Sequence, residues 1–333
     1  MQPRLSSRRR FIAAVSGATA WPLFGYAQQP GQSRRLGWLL PWPEAERVAQ
    51  ESVRAFAQAL GRLGWNDGKN VRIDYRFAAN DPALFKTFAA ELVGLSPDAL
   101  LASTPPAIMA LRGQTRTIPI VFVLMPDPIG LGLVQGLARP GGNITGFGTL
   151  DPPLMGKWLE LLKDVAPRVT RVAVIFNPDT SPYAPSFNQE IEAADPIVGV
   201  TITLGPVRDD SAIEEAVTAQ AREPGGGLIC LPDSFVFSHR VVVAASAARH
   251  GLPTIGLPDL PRAGGLMSYF YDPVEVHAQA AYYIDRIFNG ANPADLPVQQ
   301  PTKYSLIINL KTAKALGLPP PPSILDLADE VIE

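Results

Sequence analysis

From Arg35 onward, short apolar segments alternate along the chain with longer segments whose apolar residues recur at helical spacing. Continuous apolar strands separated by amphipathic helices are typical of a parallel sheet that helices cover on both faces. In the first half, this pattern predicts strands at 36–40, 71–75, 99–102 and 119–124, and helices at 46–63, 82–95 and 105–112. The alternation limits the fold to the doubly wound α/β class.

The same alternation begins again after Gly141-Gly142-Asn143. The second half is predicted to contain strands at 171–176, 200–204, 227–231, 253–255 and 265–269, and helices at 154–165, 185–194, 211–221, 236–250 and 273–288. A stretch of about 300 residues exceeds what a single hydrophobic core usually organises. We therefore expect an α/β protein with two doubly wound, Rossmann-like lobes, each built on its own sheet.

Residues 1–27 have the composition of a cleaved export signal. A basic segment without acidic residues precedes an apolar stretch that is rich in small residues, and Gly25 and Ala27 fit the small positions before a signal-peptidase cut. The segment SRRRFI at 7–12 resembles the twin-arginine signal, whose arginines here are Arg8 and Arg9. The alternative is a buried amphipathic helix. We expect export to the periplasm.

Composition narrows the classes of partner. Removing the four arginines of the signal would change the formal net charge from −2 to −6, which argues against nucleic acid or an anionic membrane as a partner. Cys230 is the only cysteine, and His239, His250 and His277 are not spaced like metal ligands. The sequence therefore predicts no intramolecular disulfide, no metal site and no cofactor.

The candidate binding residues are those that follow the predicted strands. In two doubly wound lobes, ligands bind beyond the carboxyl ends of the strands, where helix N-termini offer unpaired N–H groups. The aromatic, hydroxyl, amide and carboxylate side chains at these positions suit a small organic molecule. The candidates are Trp42, Ser103, Thr104, Met125, Asp127, Asn177, Asp233, Tyr269 and Tyr271.

Several of these residues have a structural alternative. Ser103 and Thr104 precede Pro105, so they either cap a helix or help to hold a ligand carboxylate. Asp233 either caps a helix, joins a salt bridge or pairs with a ligand ammonium. Glycines at 130, 132 and 136 approach a dinucleotide fingerprint, but their spacing departs from it by one residue. An enzyme that uses a nucleotide is therefore a weaker hypothesis than a binding protein.

Almost the whole chain after the export signal resembles the ABC-transporter substrate-binding proteins of the tryptophan/tyrosine type. Singly, the most specific matching segment is RPGGNITG at 139–146. The other matching segments are 64–71, 118–122, 127–134, 308–313 and 328–333. The resemblance implies a type I periplasmic binding fold, in which the chain crosses three times between two lobes.

The resemblance also implies a function. A small organic ligand, aromatic or amino-acid-like in some members, is captured between the lobes and delivered to the membrane subunits of an ABC permease, without catalysis. A ligand sensor for a membrane kinase is the alternative. We expect a monomer with lobe 1 at 35–146 plus about 271–300, and lobe 2 at 147–270 plus about 301–333.

Overall fold

The computed structural model describes residues 33–149, 153–184 and 199–333. The predicted export signal at 1–27 and the predicted helix at 185–194 lie outside these described residues. Within them, no helix combines the length and the apolar character that crossing a membrane requires.

The first half of the chain forms a five-stranded parallel sheet with the strand order β2-β1-β3-β4-β5. The strands are β1 (Arg34–Leu40), β2 (Val71–Phe77), β3 (Ala99–Ser103), β4 (Ile120–Met125) and β5 (Ile144–Gly148). The helices between them are α1 (Arg47–Arg62), α2 (Pro82–Gly94) and α3 (Thr104–Gln114). Every element predicted for this half is confirmed to within two residues. We call this sheet and the helices packed on it lobe 1.

Strand β5 was not predicted, because two of its five residues are glycines. Gly146 has a φ of +152°, and a Cβ atom placed there would lie 2.0 Å from the carbonyl oxygen of Phe122 on β4. The close approach of β5 to β4 therefore requires a residue that weakens the strand pattern in the sequence.

The second half forms a separate parallel sheet with the order β7-β6-β8-β9, which is the centre of lobe 2. Its strands are β6 (Arg171–Phe176), β7 (Thr201–Pro206), β8 (Gly226–Cys230) and β9 (Thr254–Gly256). Its helices are α4 (Pro153–Val165), α5 (Asp210–Ala221), α6 (Ser234–Ser238) and α7 (Arg240–Arg249). The helix predicted at 236–250 is thus divided, and His239 lies at the break.

A third, small sheet joins distant parts of the chain. Strand β10 (Met267–Phe270) pairs antiparallel with β11 (Ser305–Asn309), and β11 pairs parallel with β12 (Glu330–Ile332). The helices of this region are α8 (Pro273–Phe288), α9 (Leu310–Ala315) and α10 (Pro322–Leu327). The sequence predicted β10 and α8, but not β11, β12 or their pairing.

Helix α8 returns to lobe 1 and packs against α1 and β4. The chain then passes back beside β5, where the Gln299 amide donates to the carbonyl of Gly146 at 3.0 Å and the Gly148 amide donates to the carbonyl of Gln299 at 2.8 Å. Two of the connections between the lobes therefore lie side by side, and the cleft lies where the two large sheets end.

Candidate ligand-binding cleft

A small cavity of about 40 Å³ lies between the carboxyl ends of the strands of the two lobes; we call it the inner cavity. Four of the predicted site residues line it, namely Trp42, Thr104, Asp233 and Tyr271. The remaining wall is mostly apolar and is formed by Leu124, Pro232, Ser234, Phe237, Leu257, Pro258, Phe270 and Pro273. The cavity therefore combines apolar and aromatic walls with few polar groups, as small-molecule sites do.

Three polar side-chain atoms of the cavity wall are buried without a hydrogen-bond partner. They are the indole Nε1 of Trp42, the Oγ1 of Thr104 and the Oγ of Ser234. Most buried polar atoms in native proteins have a partner, and each one left without costs about 1–3 kcal/mol. Since both lobes contribute to this group of atoms, a ligand that reaches all three would satisfy them together.

Two cavity residues have a strained backbone. Thr104 has a φ of +72° and Leu124 has a φ of +57°, values that side chains other than glycine rarely adopt. Thr104 follows β3, and Leu124 lies where the pairing of β4 with β5 loses its register. Strain of this kind is concentrated at functional sites, where the surrounding structure holds it in place.

Asp233 is the only carboxylate in the wall of the inner cavity among the described residues, and it is 3% exposed. It accepts hydrogen bonds from the amides of Asn177 and Val236, both at 2.7 Å, and from the hydroxyl of Thr180 at 3.2 Å. Burial nevertheless raises its pKa to about 6, although these hydrogen bonds lower it. The Ser181 side chain also bonds to this carboxylate, so the protein itself engages its roughly four acceptor positions, and a ligand cation would pair with it through its charge.

Two further predicted residues support the cavity from behind. The Ser103 hydroxyl is fully buried between Trp38 and His277, and Ser103 immediately precedes Thr104. The Asn177 amide donates to Asp233. Both residues therefore act on the wall through a neighbour.

The structure does not bring the last three predicted residues to the inner cavity. The Met125 side chain is packed in the core of lobe 1. Asp127 accepts the amide hydrogen of Gly130 at 2.7 Å and holds a turn, so the nearby glycines do not open a helix as a nucleotide-binding loop would. Tyr269 stacks on Tyr304, with ring centres 5.5 Å apart, because side chains alternate along β10 and Phe270 faces the cavity instead.

Sequence reasoning missed most of the apolar wall. Leu257, Pro258 and Phe270 have no local signature that separates a cavity wall from a core. Ser234 did carry a signal, because it directly follows Asp233 at the predicted N-terminus of a helix. A hydroxyl at that position is a reasonable candidate even without a structure.

A family model described as "ABC transporter substrate binding protein" matches residues 47–332. The chain belongs to this family of substrate-binding proteins. It is 26% identical over 280 residues to a tyrosine-binding protein of Clostridioides difficile (strain R20291), which covers 80% of this chain and 77% of the relative.

Solved structures share the fold of this substrate-binding protein. An ABC domain from Streptococcus pneumonia in complex with L-Trp has a TM-score of 0.83 and 24% identity, covering 90% of this chain and 100% of that chain. The ligand-free, open structure of a substrate binding protein with adhesive properties from Clostridium difficile has a TM-score of 0.67 and 22% identity. The match covers 90% of this chain and 99% of that chain. The fold is that of the type I periplasmic binding proteins, with two lobes.

The substrate-binding protein is closed in this structure. Asn80 of lobe 1 donates to the Ser234 carbonyl at 3.2 Å and to the Ser238 hydroxyl at 3.0 Å in lobe 2. Arg240 of lobe 2 pairs with Glu46 of lobe 1 at 2.9 Å.

The inner cavity opens into a larger groove of about 540 Å³. The two spaces share Phe237, Pro258, Phe270, Tyr271 and Pro273, so the groove is a direct continuation of the cavity. The inner cavity alone, at about 40 Å³, is far below the roughly 300–1,000 Å³ of typical ligand pockets, so a ligand there either extends into the groove or requires the lobes to separate.

Glu46→Gln is expected to shift the ligand-free substrate-binding protein toward the open form. The substitution removes the charge that pairs with Arg240 across the cleft, a partly buried pair worth up to about 1 kcal/mol. Small-angle X-ray scattering at low salt should show a larger radius of gyration than in the wild type.

Glu91→Gln is the matched control, because it breaks the Arg76–Glu91 pair (2.7 Å) inside lobe 1. It should leave the scattering curve unchanged. If both variants scatter like the wild type, the pair between Glu46 and Arg240 does not hold the lobes together.

Proposed function

We propose that this chain binds an aromatic amino acid, or a close analogue with the same charged groups, between its lobes and delivers it to the membrane subunits of an ABC permease. The proposal rests chiefly on the three buried polar atoms without partners, on Trp42, Thr104 and Ser234, that surround the inner cavity together with Asp233. In this proposal the protein is a monomer that binds its ligand without catalysis.

The polar groups of the inner cavity are complementary to a zwitterion. The indole N–H of Trp42 and the hydroxyls of Thr104 and Ser234 are donors that can hold a carboxylate. The negative charge of Asp233 can pair with an ammonium group, whose charge would offset the desolvation of the buried carboxylate. A ligand with both groups would therefore satisfy the three donors without partners and the buried carboxylate together.

The apolar part of the wall favours a ring. Trp42, Phe237, Phe270 and Tyr271 contribute aromatic surface, and aromatic rings pack favourably against one another. The named ligand of the curated relative is tyrosine, and that of the pneumococcal structure is L-Trp, which is consistent with this preference. Binding between the lobes would shift the population toward the closed form that the permease recognises.

Export and lobe boundaries belong to the same proposal. Residues 1–27 would direct the chain to the periplasm by the twin-arginine route and then be removed. Lobe 1 would comprise 35–146 and about 271–300, which is supported by the packing of α8 on α1. Lobe 2 would comprise 147–270 and about 301–333.

Isothermal titration calorimetry of the protein from Ser33 onward should detect binding of L-tryptophan or L-tyrosine and none of L-alanine, which lacks the ring. Ser234→Ala and Thr104→Val should each weaken binding by about 2 kcal/mol, the value of a hydrogen bond to a charged group. Wild-type protein that binds neither aromatic amino acid would refute the proposed ligand class.

Ser52→Ala is the matched control for the two hydroxyl substitutions. The Ser52 hydroxyl is also buried without a partner, but it lies in the core beneath α1 and outside the inner cavity. This variant should bind like the wild type. If Ser234→Ala also binds like the wild type, the Ser234 hydroxyl does not contact the ligand.

A further inference from the structure

We infer that His277 is a positioning residue for ligand binding: it fixes the ligand-facing wall of lobe 1 through a hydrogen-bonded chain that it shares with Ser103 and Trp38. The inference rests on the proposed function. His277 lies on α8, is fully buried beneath the sheet of lobe 1, and does not line the inner cavity.

Each residue of this hydrogen-bonded chain donates to the next: Trp38 to Ser103, Ser103 to His277, and His277 to the carbonyl of Pro273. The Nδ1 of His277 lies 2.7 Å from the carbonyl oxygen of Pro273, which can only accept, so Nδ1 carries the hydrogen. In the neutral ring, Nε2 is then an acceptor, and the Ser103 hydroxyl donates to it at 2.9 Å. The Trp38 indole Nε1 donates to the same hydroxyl at 3.1 Å.

His277 and its hydrogen-bond partners contact three parts of the cavity wall that lie far apart in the sequence. Ser103 is the residue directly before Thr104, whose backbone is strained and whose hydroxyl has no partner. Pro273, the carbonyl partner of His277, is itself a wall residue. The Trp42 ring lies 6.1 Å from the imidazole, centre to centre. One imidazole is therefore bonded to Pro273 directly, linked to Thr104 through Ser103 and packed near the ring of Trp42.

An imidazole is suited to this role because it offers a donor and an acceptor on opposite sides of a rigid ring. Leucine would fill the space but would leave the Ser103 hydroxyl without its acceptor and would remove the side-chain donor to the Pro273 carbonyl, which as part of α8 keeps the backbone amide of residue 277. Glutamine carries a donor and an acceptor on one amide and can replace both contacts. The two substitutions therefore separate filling the core from holding the wall.

The first test measures the affinity for L-tryptophan by calorimetry. His277→Leu and Ser103→Ala are expected to weaken binding at least tenfold, whereas His277→Gln should stay within about threefold of the wild type. Thr145→Val is the control, because it removes a fully buried hydrogen bond of lobe 1, from Thr145 Oγ1 to the Leu296 carbonyl at 2.6 Å, that lies outside the inner cavity. It should lower stability without changing affinity.

The second test needs no ligand, so it tests the positioning role of His277 even if a variant folds too poorly for calorimetry. In ¹⁵N spectra of the wild type, His277 should show a protonated Nδ1 and an unprotonated Nε2, and Ser103→Ala should shift the indole N–H signals of both Trp38 and Trp42. Unaltered affinity in Ser103→Ala and His277→Leu, the opposite tautomer, or an unmoved Trp42 signal would each overturn the positioning role. Absence of L-tryptophan binding in the wild type would refute the proposed ligand, and the spectra would then decide the role of His277.

Discussion

Asp233→Ala is expected to lower both the stability of the protein and its affinity for an aromatic amino acid. The side chain caps α6 and accepts hydrogen bonds from Val236, Asn177 and Thr180, and its removal leaves the buried amides of Val236 and Asn177 without partners. Relief of the carboxylate desolvation offsets part of this cost, so we expect a loss of about 3 kcal/mol in the free energy of unfolding. Urea unfolding measures this loss.

The affinity effect of Asp233→Ala should be of similar size. Losing the partner of a desolvated ligand charge costs about 2–5 kcal/mol, which calorimetry with L-tryptophan or L-tyrosine can resolve. Asp209→Ala is the matched control, because Asp209 caps α5 by accepting from the Ala212 amide on the exposed surface of lobe 2. It should cost about 1 kcal/mol of stability and no affinity. Equal affinities in the two variants would exclude Asp233 as the ammonium partner.

Two buried groups should act in opposite directions on the stability of the wild type between about pH 4 and pH 6, so that their effects largely cancel each other. Burial lowers the pKa of His277 from 6.5 to about 4, so stability is lost as the pH falls through this window and the unfolded chain gains a proton. Burial raises the pKa of Asp233 from 3.8 to about 6, so stability is lost as the pH rises through that window. Each effect amounts to about 3 kcal/mol.

Single substitutions should reveal each effect separately. In His277→Gln, the free energy of unfolding should fall by about 3 kcal/mol relative to the wild type between pH 4 and pH 6, because the Asp233 effect is no longer balanced. In Asp233→Asn it should rise by a similar amount. Urea titrations at half-unit steps of pH measure both slopes, and the surface carboxylates cancel in the comparison with the wild type. Parallel profiles for all three proteins would contradict the opposed pKa shifts.

The sequence predicted the inner strands of the two large sheets well because these strands are mostly buried and apolar. Strand β4, for example, has no exposed residue. Strands β5 and β12 were missed because one contains two glycines and the other is three residues long with an exposed centre. Pairing between β10 and β11 joins residues as much as 41 positions apart, as with Met267 and Ile308, and no local pattern encodes that pairing.

The inner cavity was predictable only in part, for a similar reason. Trp42, Thr104, Asp233 and Tyr271 were found because they follow strands, and parallel strands end at the same edge. Met125 was an equally good candidate on that rule. The backbone is irregular at the preceding residue, Leu124, and the Met125 side chain lies in the core of lobe 1. The direction of a side chain at a strand end depends on such local irregularities, which the sequence does not reveal.

The return of α8 to lobe 1 affects how the protein is made. Strands β1 to β5 have left the ribosome long before α8, yet the core beneath β1 and β3 lacks His277 until residues 273–288 have been synthesised. Lobe 1 therefore cannot complete its fold during the translation of its own sheet. Part of the apolar surface of its earlier strands stays uncovered until most of the chain has been made. A chaperone that binds nascent chains would find that surface on the unfinished side of lobe 1.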